Sequence, residues 1–258
     1  MSSIDWVSTL AMPPCVRRFE RTIPVHVLAR EADLTRTQRE GLGKIEALTL
    51  LGVAQEITTS IPATPATDRR IDAVLFVRAS LGNTRALEST ATVVHACFPH
   101  PSVLILENAR GDVCLSAALT SRRKRATGFA VNAMEADSDI GSWRRTEQGK
   151  AFLSSLAFET LDQRSLAHLT QDIMARIRLA RVARLVGFYP DPGLCRSPDV
   201  VAVIERLLEC QGRQDRLRAR WKAHGTTQRE RLRLRIPLSE AIDQTKAAVD
   251  ELTRRCGR

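Results

Sequence analysis

Residues 103–134 read VLILENARGDVCLSAALTSRRKRATGFAVNAM, and this stretch decides the predicted fold class. It contains three mostly apolar runs with the length of β-strands, at residues 103–107, 113–120 and 128–134. The segments between them, ARGD and SRRKRATG, are short and polar, as turns are. Because consecutive strands joined by short turns pair antiparallel, the stretch predicts three antiparallel strands.

The residues before this stretch alternate between helical and strand patterns. Residues 71–79 (IDAVLFVRA) have the clearest strand pattern, and residues 53–59 have a weaker one. A helix is predicted from Thr35 to residue 51, where apolar residues recur at every third position from Leu42, and another over residues 83–98. The order α-β-β-α-β-β-β therefore predicts an α+β fold, a mostly antiparallel sheet with helices on one face.

After residue 145, strand patterns give way to helical periodicity. One amphipathic helix is predicted over residues 166–180, and the segment YPDPGLCRSPD at 189–199 separates it from the next helix. In the last segment, residues at alternating spacings of four and three form a coiled-coil-like seam: Leu238, Ile242, Thr245, Val249, Leu252 and Cys256. Pro237, just before this seam, is expected in the first turn of its helix.

These patterns divide the chain into three predicted parts. Residues 1–20 contain two adjacent prolines and little periodicity, which predicts a loose N-terminal arm. Residues 21–145 form the predicted α+β domain. Residues 146–258 form a helical, Arg-rich C-terminal region that ends in a coiled-coil-like hairpin.

Composition indicates a folded chain with a strong positive field. Hydrophobic residues make up 43% of the 258 residues, which suffices for a core. The 39 Lys and Arg residues against 29 Asp and Glu residues give a net charge of +10, which favours polyanionic partners. A GC-rich genome, which encodes Arg freely, is an alternative source of this excess. Aromatic residues, at 4%, are too few for a platform that stacks single-stranded bases.

The positive charge falls into two dense clusters that are candidate nucleic-acid contacts, because cations neutralise phosphates irrespective of base sequence. The first cluster lies at a predicted hairpin tip and comprises Arg122, Arg123, Lys124 and Arg125. The second cluster comprises Arg213, Arg216, Arg218, Arg220, Lys222, Arg229, Arg231, Arg233 and Arg235. Alternatives are a solvated loop for the first cluster and, for the second, a solvent-facing helical hairpin, a short strand with one basic face, or a contact with an acidic protein surface.

Cysteine and histidine positions predict no metal or cofactor site. The closest of the six cysteines are 15 residues apart, so no CxxC pair exists, and buried reduced thiols in the cytoplasm are expected. His95 and His100 flank Cys97, but Pro99 between them argues against a shared ligand geometry. The N-terminus does not read as a signal peptide, and no apolar run is long enough to predict a membrane span.

No catalytic residue is predicted. The sequence contains no GxSxG elbow, P-loop or GxGxxG motif after a strand. A Mg²⁺-dependent nuclease of the restriction type would need two carboxylates and a nearby lysine. Asp72 and Glu107 lie on or near predicted strands, but Asn108-Ala109 follow Glu107 where the lysine is needed, which favours a carboxylate in a salt bridge.

Several segments resemble a bacterial family, domain of unknown function 4391. They are TIPVHVLAREADLTRTQREGLGKIEALTLLG from Thr22, ACFPHPSVLILE from Ala96, and KAHGTTQRERLRLRIPLSEAIDQTKAAVDELTRR from Lys222. The resemblance implies a genomic context beside DNA helicase-translocases and DNA methyltransferases in prokaryotic anti-phage islands. It implies no catalytic residues that can be assigned to positions in this chain.

Three functional hypotheses follow. The first is a non-catalytic accessory subunit of a prokaryotic DNA-processing defence complex, contacting DNA or a helicase or methyltransferase partner. In this hypothesis a partner interface is predicted at Leu238, Ile242, Val249 and Leu252. The second hypothesis is a degenerate or unrecognised Mg²⁺-dependent nuclease that uses Asp72 and Glu107. The third is a structural protein that self-associates into a homo-oligomer through its C-terminal helices, without nucleic acid.

Overall fold

The computed structural model describes residues 4–31, 34–65, 70–122 and 129–256. The chain divides into two compact units, Met1–Ala180 and Arg181–Arg258. Each unit is described in turn, beginning with the first.

The first unit is built on six strands and most of the shorter helices. The strands are β1 (Arg17–Thr22), β2 (Ile45–Gln55), β3 (Ala73–Leu81), β4 (Ser102–Asn108), β5 (Val113–Arg122) and β6 (Phe129–Asp137). The helices that begin in this unit are α1 (Trp6–Thr9), α2 (Val25–Glu31), α3 (Arg36–Leu42), α4 (Glu56–Thr59), α5 (Leu87–His95), α6 (Ile140–Trp143), α7 (Glu147–Ser155) and α8 (Leu166–Val186). A 3-10 helix, Phe158–Thr160, connects towards α8, which runs past the boundary at Ala180.

The six strands form one sheet in the order β1-β2-β3-β4-β5-β6. β3 and β4 pair in parallel, and the other four neighbouring pairs are antiparallel. The parallel pair follows from the chain path, because α5 returns the chain to the edge at which β3 began. The predicted α+β fold, a mostly antiparallel sheet followed by a helical C-terminal region, is confirmed.

Helices α2, α3 and α5 cover one face of the sheet. Val77 and Ala79 of β3 join Leu104 and Leu106 of β4 in a core with the apolar side of α5. Successive strand residues point to opposite faces, so Phe76 lies on the other face. There it contacts the ring of Phe158, with ring centroids 6.4 Å apart. The burial of β4 on both faces explains its continuous apolar sequence.

The helix predicted from Thr35 to residue 51 is confirmed in its first part, which is α3 with Thr35 as its cap. It is wrong from Ile45 onwards, where β2 begins. The pairing of β2 with β3 shifts register between Ile45 and Ala47 and again between Leu50 and Gly52. Each shift adds one residue to β2, as a β-bulge does. A bulge converts the strand period of two into a local spacing of three, so Ile45 and Leu48 both reach the same core. The spacing of three residues between Ile45 and Leu48 therefore resembles the periodicity of a helix, although the segment is a bulged strand.

The prediction of a loose N-terminal arm, made for residues 1–20, is also wrong for the described residues 4–20. Trp6, Leu10, Met12 and Val16 are each at most 4% exposed, and β1 begins at Arg17 as an edge strand beside β2. The apolar residues span a short helix, a turn and the start of a strand, so they follow no single period. Periodicity could not detect a segment whose order comes from contacts with the sheet.

The second unit is dominated by two long helices, α9 (Pro198–Lys222) and α10 (Gln228–Cys256), with a 3-10 helix, Leu194–Arg196, before α9. Strand signals end after residue 145 as predicted, but the boundary between the compact units falls at residue 180. Pro237 lies inside α10, at its tenth position, and not in the first turn as predicted. None of the helices in the described part of the chain has the length and apolar composition that crossing a membrane requires.

Candidate nucleic-acid interface

The cations of the second predicted cluster lie on a hairpin formed by α9 and α10. Pro198 occupies the first position of α9, where its missing N–H costs no helical hydrogen bond. At the other end of the hairpin, Gly225 adopts a φ of +93°, which favours glycine. Thr227 then caps α10, because its backbone N–H donates to Glu230 Oε2 (2.8 Å) and its Oγ1 accepts from the N–H of Glu230 (3.2 Å).

The two helices pack against each other along a seam of buried residues. On α9 the buried residues are Val200, Val203, Ile204, Leu207 and Gln214, and on α10 they are Ala241, Thr245, Ala248, Leu252 and Cys256. Arg206 forms an ion pair with Glu251 across the hairpin, and Glu251 also accepts from Arg255 at 2.9 Å. The pairing of an early α9 residue with a late α10 residue shows that the helices run antiparallel.

The predicted partner interface on α10 is divided by this packing. Leu252 is fully buried in the seam with α9, and Leu238 and Val249 are half-buried beside it. Ile242 is 39% exposed. In this structure the apolar pattern of the last segment is used mainly within the chain. A contact of these residues with another protein stays a prediction.

All nine cations of the block at 213–235 are exposed on this hairpin. Only two carboxylates, Asp215 and Glu230, occur in the same block, which leaves a surplus of seven of the chain's ten positive charges. Among the residues that the structure describes, none of the nine cations forms an ion pair with a carboxylate within 4.0 Å. The nine cations therefore face solvent without an ion-pair partner in the described part of the chain, although Arg220 and Arg233 lie near enough to Glu230 to act on its charge.

Three of these cations form a row along one side of α9. Arg213, Arg216 and Arg220 are spaced three and four residues apart, so they lie on neighbouring turns of the same helical face. The row is about 10 Å long at the helical rise of 1.5 Å per residue. Arg218 points elsewhere: with the Gln214 amide oriented to donate to Thr245 Oγ1, the Gln214 carbonyl oxygen accepts from Arg218 at 2.8 Å.

A surface cavity of about 360 Å³ lies at the connection between the two helices. Arg220 of α9 and Arg233 of α10 line it together with Glu230. The hydrogen bonds from Thr227, and then the charges of the two arginines, hold the pKa of Glu230 below its usual value. Glu230 therefore remains ionised while it caps α10, and its charge is already engaged by the helix N-terminus.

The first predicted cluster, at residues 122–125, contributes no described side chain to this interface. Arg122 is the last residue of β5. Arg123, Lys124 and Arg125 lie outside the described residues. Their role as nucleic-acid contacts stays a prediction, independent of the hairpin.

In the first unit, Glu107 is held by two neighbouring side chains. Arg78 donates to Glu107 Oε2 at 2.8 Å, and the indole N–H of Trp6 donates to Glu107 Oε1 at 2.8 Å. The sequence interpretation of Glu107 as a carboxylate in a salt bridge is confirmed. Trp6 was missed as a partner because its contact joins residues 101 positions apart, and no local pattern reports such a contact.

The two candidate nuclease carboxylates lie at opposite ends of the β3–β4 pair. Glu107 is in register with Ser80, whereas Asp72 precedes β3 and its Oδ1 lies 3.2 Å from His100 Nδ1. Eight residues of extended chain between Asp72 and Ser80 correspond to roughly 26 Å. Asp72 and Glu107 therefore cannot bind one Mg²⁺ ion together.

The ring of His95 contacts two serine hydroxyls of the sheet. It is fully buried, with Nδ1 2.7 Å from Ser102 Oγ and Nε2 2.8 Å from Ser116 Oγ. The Cys97 thiol instead donates to the carbonyl of Val93. Within the described ranges, no group of three or more His, Cys, Asp or Glu side chains is arranged to hold a metal ion.

The six cysteines are all free thiols, but their environments differ. Burial raises the pKa of Cys97 to about 11 and that of Cys114 to about 12, which makes both poor nucleophiles. In the second unit, burial and a hydrogen bond shared with Cys256 raise the pKa of Cys195 to about 12. Cys15 is exposed, in contrast to the buried thiols that the sequence predicts.

Comparison with known proteins adds a family assignment and no activity. No curated protein and no solved structure matches the chain. The family described as domain of unknown function (DUF4391) matches residues 11–240, which include the whole sheet, α9 and the first half of α10. The chain therefore belongs to the domain of unknown function family DUF4391.

Proposed function

We propose that this protein is a non-catalytic accessory subunit of a prokaryotic DNA-processing defence complex, and that its α9–α10 hairpin contacts the DNA backbone. The observation that carries the proposal is the set of nine exposed cations at 213–235 with no carboxylate partner within 4.0 Å among the described residues. Such a surface binds phosphates without reading base sequence. A helicase or methyltransferase that acts on specific DNA would supply the sequence preference.

The row Arg213, Arg216 and Arg220 is the most suitable part of the hairpin for phosphate contact. Arginine presents five donors in a planar fork and can bind phosphate oxygens in pairs. The row lies on a formed helix, so binding costs little conformational freedom beyond the rotamers of the three side chains. The neighbouring acidic residues of α9 are fewer towards its C-terminal end, where the row lies.

The experiment is a salt titration of binding to a short duplex DNA by fluorescence anisotropy. The variant R213Q/R216Q/R220Q removes three cations from the row. We expect weaker binding and a slope of log K against log salt that is smaller by up to about 2.7, because each phosphate contact contributes about 0.9. The binding of two unrelated sequences should change equally.

The matched control is R36Q/R39Q/R85Q, which removes the same charge from three exposed arginines of the first unit. If net charge alone attracted DNA, both triple variants would lose affinity to the same extent. Equal losses, or unchanged binding in the α9 variant, would contradict the proposal. Co-purification with the products of neighbouring genes tests the proposed complex separately.

A further inference from the structure

Helix α10 carries two apolar stripes, although packing against α9 requires only one. The first stripe includes Ala241 and Leu252, which are buried in the seam. The second consists of Leu232 and Ile236, which are 61% and 68% exposed. These two residues are four positions apart, so they are neighbours on one face of the helix.

Helical geometry places the second stripe on the outer side of α10. Leu232 lies nine residues before Ala241, which corresponds to two and a half helical turns and therefore to the opposite side. Ile236 lies five residues before Ala241 and is rotated about 140° from it. A helix with apolar residues on two opposite sides is suited to a position between two other helices.

The outer stripe has a basic rim. Arg229 and Arg235 lie three residues to either side of Leu232, and Arg233 lies three residues before Ile236. Each of these arginines is exposed and one turn from the apolar pair. This combination distinguishes the stripe from Ile57 of α4, which is 91% exposed but stands alone and has Glu56 as its neighbour. Single exposed apolar residues of that kind are normal.

The basic rim determines which kind of partner can bind the outer stripe. A second copy of this chain would bring the same arginines against each other, and like charges across an interface are unfavourable. A DNA backbone would satisfy the arginines, but its phosphates would lose water against Leu232 and Ile236 without gaining a hydrogen bond. An amphipathic helix with an apolar stripe and acidic flanks satisfies both the apolar pair and the rim.

We propose that the α10 outer face, formed by Leu232 and Ile236 and rimmed by Arg229, Arg233 and Arg235, is a docking site for an acidic amphipathic helix of a partner protein. The docked helix would lie along α10 and complete a three-helix arrangement with α9. The rim arginines belong to the nine cations of the proposed DNA contact, but the docking site does not require the row Arg213, Arg216 and Arg220 on α9.

The probe is a synthetic amphipathic peptide of about 20 residues with leucines four apart on one face and glutamates on the flanks, long enough to form several helical turns. Its control is a peptide of the same composition in scrambled order. Binding of each labelled peptide to the full chain is measured by fluorescence anisotropy at about 0.15 M salt, where the Debye length is about 8 Å. We expect the amphipathic peptide to bind more tightly than the scrambled one.

Two variants test the two parts of the site. L232S/I236S should reduce affinity for the amphipathic peptide by about 10- to 100-fold, because a small number of central apolar residues dominates most interfaces. R229Q/R233Q/R235Q should reduce affinity and also weaken its dependence on salt. The matched control I57S removes an exposed isoleucine elsewhere and should bind as the unmodified chain does. Circular dichroism checks that each variant keeps its helices.

Several outcomes would overturn the proposal. Equal binding of the two peptides, or unchanged binding in L232S/I236S, would show that only net charge is recognised. A dimer that L232S/I236S dissociates in analytical ultracentrifugation would identify a second copy as the occupant. A loss of DNA affinity in L232S/I236S would identify nucleic acid instead. Retained DNA affinity in that variant, with loss of peptide binding, supports the site and keeps this test distinct from that of the α9 row.

Discussion

At the scale of single residues, His95 is a titratable group that the first unit buries completely. Its two ring nitrogens meet the hydroxyls of Ser102 and Ser116, so both nitrogens are hydrogen-bonded although the ring is fully buried. Burial lowers the pKa of His95 to about 3 because the charged imidazolium would lose its hydration. The histidine is therefore neutral and joins α5 to β4 and β5.

This arrangement predicts a loss of stability in mild acid. In the unfolded chain His95 takes up a proton near pH 6.5, whereas in the folded chain it stays neutral until about pH 3. The folded state is therefore progressively destabilised as the pH falls below 6.5. Between about pH 7 and pH 5, the free energy of unfolding should fall by roughly 2 kcal/mol more in the unmodified chain than in H95Q. Urea unfolding at both pH values measures the difference. Equal pH dependence of the two chains would contradict it.

At the scale of elements, the helical glycines Gly41 and Gly149 lie in opposite environments. A Cβ at Gly149 of α7 would lie 2.2 Å from the carbonyl oxygen of Trp143, whereas a Cβ at Gly41 of α3 would meet only a Val93 methyl group at 3.6 Å. The first distance is a clash with backbone, and the second is an ordinary contact. Gly149 is thus required by the close approach of α7 to the preceding turn.

The two glycines predict opposite effects of the same substitution. G41A should stabilise the protein by up to about 1 kcal/mol, because alanine favours helix over glycine. G149A should destabilise it by about 1–3 kcal/mol, since backbone must move to admit the methyl group. Thermal unfolding of both variants provides the comparison. Stabilisation by G149A would show that the approach to Trp143 is not as close as described.

The α9–α10 seam predicts a second contrast, between Leu252 and Ile242. L252A removes a fully buried side chain and should lower the free energy of unfolding by about 2–4 kcal/mol. I242A truncates a residue that is 39% exposed and should cost much less. Urea unfolding followed by helical circular dichroism measures both. Similar small effects would mean that the seam contributes little to the stability of the hairpin.

At the scale of the whole molecule, the positive charge is concentrated in a small part of the chain. The block at 213–235 holds a surplus of seven charges, so only three of the net ten remain for all other residues. This concentration argues against a uniform effect of Arg-rich composition. A partner attracted by the field would be directed to one hairpin, where the α9 row and the α10 outer face offer different chemistry.

The two proposed surfaces give a joint expectation for the whole chain. R213Q/R216Q/R220Q should lose affinity for DNA and still bind the acidic peptide. L232S/I236S should lose affinity for the peptide and still bind DNA. Loss of both ligands in both variants would indicate a single undivided basic surface. Such a result would favour a polyanion-binding hairpin without a dedicated protein contact.

The local sequence determined those elements whose residues follow one period without interruption. The meander β4–β5–β6, helix α5 and the change to helices after residue 145 were all predicted, because apolar runs and turn residues act over a few positions. The two basic clusters were equally visible, since charge is a property of sequence.

Only the tertiary structure decided what depends on distant contacts. The bulges of β2 exist because β3 pairs with it, and the order of residues 4–16 comes from burial beneath the first unit's sheet. The same is true of Trp6 at Glu107 and of the separation of Asp72 from Glu107. On α10, packing against α9 determines which apolar residues are buried, and it leaves Leu232 and Ile236 exposed to solvent. A linear pattern records which residues are apolar, but only packing determines which of them find a partner.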